Sequence, residues 1–183
     1  KLEGRIISAT VSKTTTHKYY VAFTVEKEIT TQPAAEQTVG IDVGLKDFAV
    51  CSDGKKIGNQ KNLYKMEKKL TYKQKQLSKK KKGSINRKKA KLTVAKTHEK
   101  IKNSRIDYIH KVSNQLTNEN QVVVVEDLNV KGMMKNHKLA QAISDVSWSE
   151  FNRMIEYKAE WYGVNILRIG RFAPSSKKIG RAS

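Results

Sequence analysis

The sequence predicts an α/β protein: a mixed β-sheet interrupted by a basic helical hairpin and preceded by the strands of another β unit. Three observations predict it. Short runs of β-branched and aromatic residues open the chain and return after residue 38. Val122 to Val125 begins a strand–helix–strand order, which makes a right-handed crossover between parallel strands. Between these β regions, Lys61 to Arg105 holds eighteen Lys and Arg against Glu67 and Glu99 alone, an excess of sixteen in a chain whose total charge is +20.

The 183 residues suffice for one compact domain, or one domain with a modest extension. With 38% hydrophobic residues the chain can bury a core, and 2 Pro with 10 Gly exclude collagen-like and Pro/Gly-rich disordered classes. The single cysteine, Cys51, can form neither an internal disulfide nor a cysteine-rich zinc site, and its strand context reads as core. No apolar stretch approaches the roughly 20 residues of a membrane span, and no hydrophobic signal region opens the chain. The expectation is a soluble, cytoplasmic, nucleoid-associated protein with no membrane partner, whose charge calls for a polyanion.

Ile6 to Val11 and Tyr19 to Val25 read as two strands joined by a turn at Lys13 to His17, the end of a larger N-terminal module over residues 1–29. Residues 30–38, polar with one Pro, read as a linker. Val39 to Gly44 is an apolar strand interrupted by Asp42. Asp47 to Cys51 is the next strand, and Ser52-Asp53-Gly54-Lys55 carries an Asp-Gly hairpin signal into a third strand at Lys56. Residues 39–60 thus predict an antiparallel meander.

Residues 61–120 predict the basic hairpin. Leu63, Met66, Leu70 and Leu77 form a narrow heptad seam, and Lys79 to Ser84 breaks it. A second helix, from about Arg87 to about Leu116, places Leu92, Ala95, Ile106, Ile109 and Leu116 on a matching seam. Lysine occupies the rest. Lys65, Lys68, Lys69, Lys73, Lys75, Lys79, Lys80, Arg87, Lys88, Lys89 and Lys91 are the candidate phosphate contacts, because so local an excess marks a polyanion surface. Tyr64 and Tyr72 carry faces on which bases could stack, although nothing singles them out.

In residues 121–183, Gln121 to Leu128 predicts a fully buried strand ending in Glu126 and Asp127. A short helix is expected around Leu139 to Val146. Ser147-Trp148-Ser149-Glu150 then predicts a capping box opening a helix whose apolar face is Trp148, Phe151, Ile155, Ala159 and Tyr162, with Gly163 ending it. Val164 to Ile169 is the return strand. Trp148 and Trp161 read as helix-to-sheet core. His17, His98, His110 and His137 lack any ligand spacing, and Asp145 has no assignable role.

Asp42 and Glu126 carry the chemistry. A carboxylate inside a buried strand costs several kcal/mol unless a cation neutralises it. If their strands lie side by side, the two form a hard-oxygen site for Mg²⁺ or Mn²⁺, of the kind that two-metal phosphodiester cleavage uses. Gly44 would leave room for a substrate backbone. The alternative is that each carboxylate sits at a strand end facing water.

Val39-Gly40-Ile41-Asp42-Val43-Gly44, taken with Val124-Val125-Glu126-Asp127-Leu128-Asn129-Val130-Lys131-Gly132-Met133, resembles the RuvC-like nuclease of the TnpB family, transposon-encoded RNA-guided endonucleases related to type V CRISPR effectors. The resemblance continues through Lys138-Leu139-Ala140, Ser144 to Trp148, Tyr157-Lys158-Ala159 and Phe172 to Lys177. It implies an RNase H-like (RuvC-like) fold with Asp42 and Glu126 as the first two catalytic metal ligands. It also implies DNA and guide-type RNA as partners, and an oligonucleotide-binding barrel to which the N-terminal strands belong. In the family a zinc ribbon and a third catalytic Asp follow the Pro-Ser-Ser-Lys segment. Here Lys178-Ile179-Gly180-Arg181-Ala182-Ser183 follows Lys177. The expectation is therefore a C-terminally truncated member with an incomplete barrel, no zinc, weak Mg²⁺ or Mn²⁺ binding and no cleavage. A non-catalytic nucleic-acid-binding protein, repressor-like or structural, is the alternative. A ribosome-associated basic protein would not need Asp42 and Glu126.

Overall fold

The computed structural model describes residues 3–29, 36–60, 62–136 and 146–170. The chain divides into two compact units, one of Lys1–Ile29 with Lys61–Ser104 and one of Thr30–Gln60 with Arg105–Ser183.

In the first unit, β1 (Arg5–Lys13) and β2 (Tyr19–Glu26) pair antiparallel, from Arg5 opposite Glu26 to Lys13 opposite Tyr19. His17 closes the turn in the left-handed region, at φ 65°. Both strands are almost wholly exposed, including Ile6, Ile7, Val11, Val21 and Phe23. Among the described residues this sheet has two strands. Its tip is held by polar groups. Thr16 is buried and donates to Glu99 Oε1 (3.1 Å), Tyr20 donates to the same oxygen (3.4 Å), and Lys18 Nζ sits 3.0 Å from Glu99 Oε2. The Lys18 hydrogen bond, above all, holds the Glu99 carboxyl below its ordinary pKa.

The same unit contains α1 (Asn62–Ser78) and the first part of α2 (Ile85–Glu119). Gly83 turns between them at φ 83°, and Ser84 Oγ accepts from the Arg87 amide (3.2 Å). Arg87 Nη1 donates to the carbonyls of Leu77, in the last turn of α1, and of Lys80, just past it (3.1 and 2.9 Å), and so ties the start of α2 to the end of α1. The apolar stripe of α2 differs from the expected seam. Val94, Thr97 and Ile101 are buried here, whereas Leu92 and Ala95 are half-buried. Val94, Thr97 and Ile101 advance by three and then four residues, the spacing of one helical face. Leu92 and Ala95 fall beside that face.

The second unit is built on a five-stranded sheet of order β5-β4-β3-β6-β7. Its strands are β3 (Thr38–Val43), β4 (Asp47–Cys51), β5 (Lys56–Gly58), β6 (Val122–Glu126) and β7 (Asn165–Ile169). The meander β3-β4-β5 is antiparallel, while β6 lies parallel to both β3 and β7. A mixed sheet results, as expected. A one-turn helix, α3 (Val130–Met133), and α4 (Trp148–Tyr162) lie between β6 and β7 in sequence.

The core gathers Val39, Ile41, Ala49, Cys51, Val123 and Val125 from the sheet. Ile109, Val112 and Leu116 of α2 and Trp148, Phe151, Met154 and Ile155 of α4 complete it. Phe48 is its centre, edge-on to Tyr108 (5.2 Å between centroids) and Phe151 (4.8 Å). Such pairs add about 0.5–1.5 kcal/mol beyond area burial. Cys51 is a core residue, as its strand context suggested.

Three local expectations need correction. β6 is not fully buried; its residues alternate between buried and half-buried, because one face packs on the core and the other does not. Ser147 makes no side-chain cap and lies left-handed at φ 55°, so the capping box is not formed; Glu150 instead pairs with Arg153 (2.6 Å). Trp161 is 46% exposed and rests edge-on against Tyr157, because it lies off the stripe that Trp148, Phe151 and Ile155 define. Lys158 lies on that stripe instead and is buried, donating to the His110 carbonyl (2.9 Å) and Ser113 Oγ (2.7 Å). Gly163 does end the helix in the left-handed region, at φ 73°. The expected helix around residues 139–146 falls almost entirely outside the described residues.

Candidate functional site

Asp42 comes near the end of β3 and Glu126 ends β6. The parallel register pairs Val39 with Val123 and Ile41 with Val125, so the next pair along is Asp42 and Glu126. Residues paired across adjacent strands share a face, and the strands run about 4.8 Å apart. Val39, Ile41, Val123 and Val125 take the core face. The two carboxylates therefore project together from the opposite face, at one end of the two central parallel strands. Asp42 is exposed and Glu126 half-buried, so both reach solvent at the strand ends; partial desolvation first, and then the charge of Glu126, raises the Asp42 pKa above its ordinary value. Two carboxylates side by side offer hard oxygen donors of the kind a divalent cation takes, so this donor set fits Mg²⁺ or Mn²⁺.

The flanking backbone explains part of the local sequence. Gly40 donates its amide to Ser52 Oγ (2.9 Å) and accepts from the Ser52 amide (2.8 Å), which holds β4 against β3 one residue past the ladder. After Glu126, the Asp127 amide donates to the Ile169 carbonyl (3.0 Å), fixing the strand end to β7. Asn129 Oδ1 then accepts from the Gly132 amide (3.0 Å). A Cβ at Gly132 would stand 2.4 Å from Asn129 Nδ2, so the Asn-x-x-Gly spacing is required by this turn. Gly44 is also explained locally: a Cβ there would meet the Asp47 carbonyl oxygen at 3.0 Å.

Among the described residues no group of three or more His, Cys, Asp or Glu gathers. His137 and Asp145 lie outside them. No helix among the described residues is long and apolar enough to cross a membrane.

The candidate phosphate contacts sit on α1, the connection and the start of α2. Lys68, Lys69, Lys75, Lys79, Lys80, Lys88, Lys89 and Lys91 are exposed. Lys73 and Arg87 are half-buried and engaged within the hairpin, Lys73 Nζ donating to Thr97 Oγ1 (2.7 Å) and Arg87 to the Leu77 and Lys80 carbonyls. Lys65 lies in α1. Lys96 and Lys100 were not singled out by the sequence reading. Their signal was the four-residue spacing on one helix face, hidden inside a long run of lysine.

Comparisons with known proteins agree on a family. A family profile described as "Probable transposase", OrfB_IS605, matches residues 20–137. A Streptomyces pristinaespiralis protein named as a candidate RNA-guided DNA endonuclease is 44% identical over 94% of this chain and 43% of its own length. InsQ of Escherichia coli K12, named in the same way, is 32% identical over 92% of this chain and 46% of its own length. The chain thus spans less than half the length of these relatives. Among solved structures, a chain of the Cas12f1–sgRNA–target DNA complex superposes with a TM-score of 0.54 at 18% identity. That match covers 83% of this chain and 32% of the other, and it bears on the fold alone. The match over residues 20–137 places this chain in the OrfB-type transposase family.

Proposed function

We propose that the chain is the nuclease-bearing stretch of an RNA-guided DNA endonuclease, with Asp42 and Glu126 as metal ligands of an RNase H-like site. The observation that carries this reading is the register that sets the two carboxylates side by side at the ends of β3 and β6. A divalent ion held there would supply Lewis-acid activation of water and charge stabilisation at a scissile phosphate. The protein's own part is to fix both carboxylates on a rigid sheet, anchored by Ser52 on one side and by the turn at Asn129 on the other.

In the same reading, residues 61–120 are a basic insert between residues 39–60 and 121–183 of the nuclease, and residues 1–29 are the end of a barrel module. The insert's lysines bind the phosphates of DNA and guide-type RNA. The second reading, a non-catalytic nucleic-acid-binding protein, is favoured by the absence of a third ligand beside Asp42 and Glu126 among the described residues.

Both readings require binding through phosphates. If the basic stretch engages about 6 phosphates of a duplex, log affinity should fall with log salt at a slope of about −5. Sequence preference without a guide should be weak, because lysine on phosphate carries no base information. Replacing Lys75, Lys79, Lys80, Lys88, Lys89 and Lys91 together by Gln should flatten that slope. An unchanged slope would remove the phosphate surface from this stretch.

A further inference from the structure

A groove of about 420 Å³ lies in the first unit, lined by Met66, Lys69 and Lys73 of α1 and by Lys96, Thr97 and Lys100 of α2. Each helix contributes a lysine pair at i and i+4, and the two pairs share one space. Like charges at that spacing destabilise a helix, so apart from the bond that Lys73 makes across to Thr97, the convergence of four lysines is not explained by folding. Among the described residues its lining contains no carboxylate. The adjacent acid, Glu99, is engaged by Lys18, Thr16 and Tyr20. Arg87 shows the contrast, since its charge is used to tie the start of α2 to the end of α1.

The groove also has fixed polar geometry. Thr97 Oγ1 donates to the Thr93 carbonyl (2.9 Å) and accepts from Lys73 Nζ (2.7 Å), which holds Lys73 at the wall. An ammonium has three donors, so this bond leaves Lys73 two for an anion. Met66 supplies an apolar wall of the kind a sugar can lie against.

We infer that this groove binds the phosphate backbone of a single nucleic-acid strand, with Lys69, Lys73, Lys96 and Lys100 as its contacts. The inference rests on the nucleic-acid reading above and narrows it from a basic surface to a strand-sized site. The volume falls at the small-ligand end of pocket sizes, about 300–1,000 Å³. It has room for a phosphate with its sugar, the repeating unit of one strand's backbone. Among the described residues its lining is lysine, threonine and methionine, which contact phosphate and sugar rather than base edges, so base preference should be weak.

The test compares a short fluorescent oligothymidylate with a duplex of equal length, by anisotropy against the full 183-residue chain. The variants are Lys96→Ala with Lys100→Ala, and Lys88→Ala with Lys91→Ala as a pair of equal charge outside the groove. The groove pair should lower single-strand affinity about tenfold and reduce its salt slope by about 1.4, two contacts at about 0.7 each. It should lower duplex affinity no more than the outer pair does, and Lys96→Arg with Lys100→Arg should restore single-strand binding. Equal losses from the two pairs on the single strand would overturn the groove and leave the general phosphate surface standing. Failure of the unaltered chain to bind either probe at low salt would overturn both.

Discussion

The unaltered chain is expected to take up Mn²⁺ with measurable heat, and Asp42→Ala is expected to abolish that heat. Two carboxylates completed by water hold a divalent ion weakly, so removing one leaves a single ligand with no anchoring partner. Isothermal titration of the chain, Asp42→Ala and Glu126→Ala would show signal only in the first. Equal heats in all three would refute the site. A second consequence separates metal loss from misfolding: without metal, Asp42→Asn should melt no lower than the unaltered chain, because it removes the like charge facing Glu126. A two-metal centre needs further fixed ligands for its second ion. A polypeptide of these 183 residues, supplied with Mg²⁺ and a candidate guide RNA, should therefore leave a plasmid target uncut. Cutting that Glu126→Ala eliminates would show that another residue completes the centre.

Lys158→Met is expected to stabilise the second unit at neutral pH. Burial lowers the Lys158 pKa from its ordinary 10.5 to about 8. Below pH 8 the lysine is protonated in both folded and unfolded chains, and the folded chain bears the full cost of a buried cation. Between pH 8 and 10.5 the unfolded chain holds more protons, so stability rises with pH through that window. Methionine has similar reach and no charge. Ser113 keeps its own hydrogen bond to the Ile109 carbonyl (2.7 Å), so its hydroxyl proton stays satisfied. The gain at pH 7 should be about 1–3 kcal/mol, and the difference from the unaltered chain should narrow as pH rises to 10.5. Urea unfolding at pH 7 and pH 10 measures both. A variant less stable at pH 7 would mean that the bonds to His110 and Ser113 outweigh desolvation.

Much of the sheet was legible because its strands are written as short runs of β-branched and other apolar residues with strong breakers between them. The Asp-Gly turn before β5 and the Gly163 helix end follow from backbone geometry that few other residues can adopt. Asp42 and Glu126 stood out as carboxylates in apolar strands, yet their meeting depends on register between strand positions 84 residues apart in sequence, which local pattern does not encode. Lys158 was missed because lysine reads as solvent-facing, and only the Ser113 and His110 acceptors of a neighbouring helix make its burial tolerable. The α2 stripe was misplaced because Val94 and Thr97 are weak helix formers beside Leu92 and Ala95, although helical phase, not propensity, decides which face is covered. The polar docking of the β1-β2 tip on Glu99 had no signal beyond one acid in a basic run.

Cys51 has a practical consequence. It is the single cysteine of the chain, it is 3% exposed, and burial raises its thiol pKa, so little reactive thiolate forms at neutral pH. The natural sequence therefore serves as a silent background for thiol chemistry. One cysteine introduced at an exposed site, such as Tyr72, would be the selective target for a spin label, a fluorophore or a photo-crosslinker. Strand contacts could then be mapped without disturbing the core.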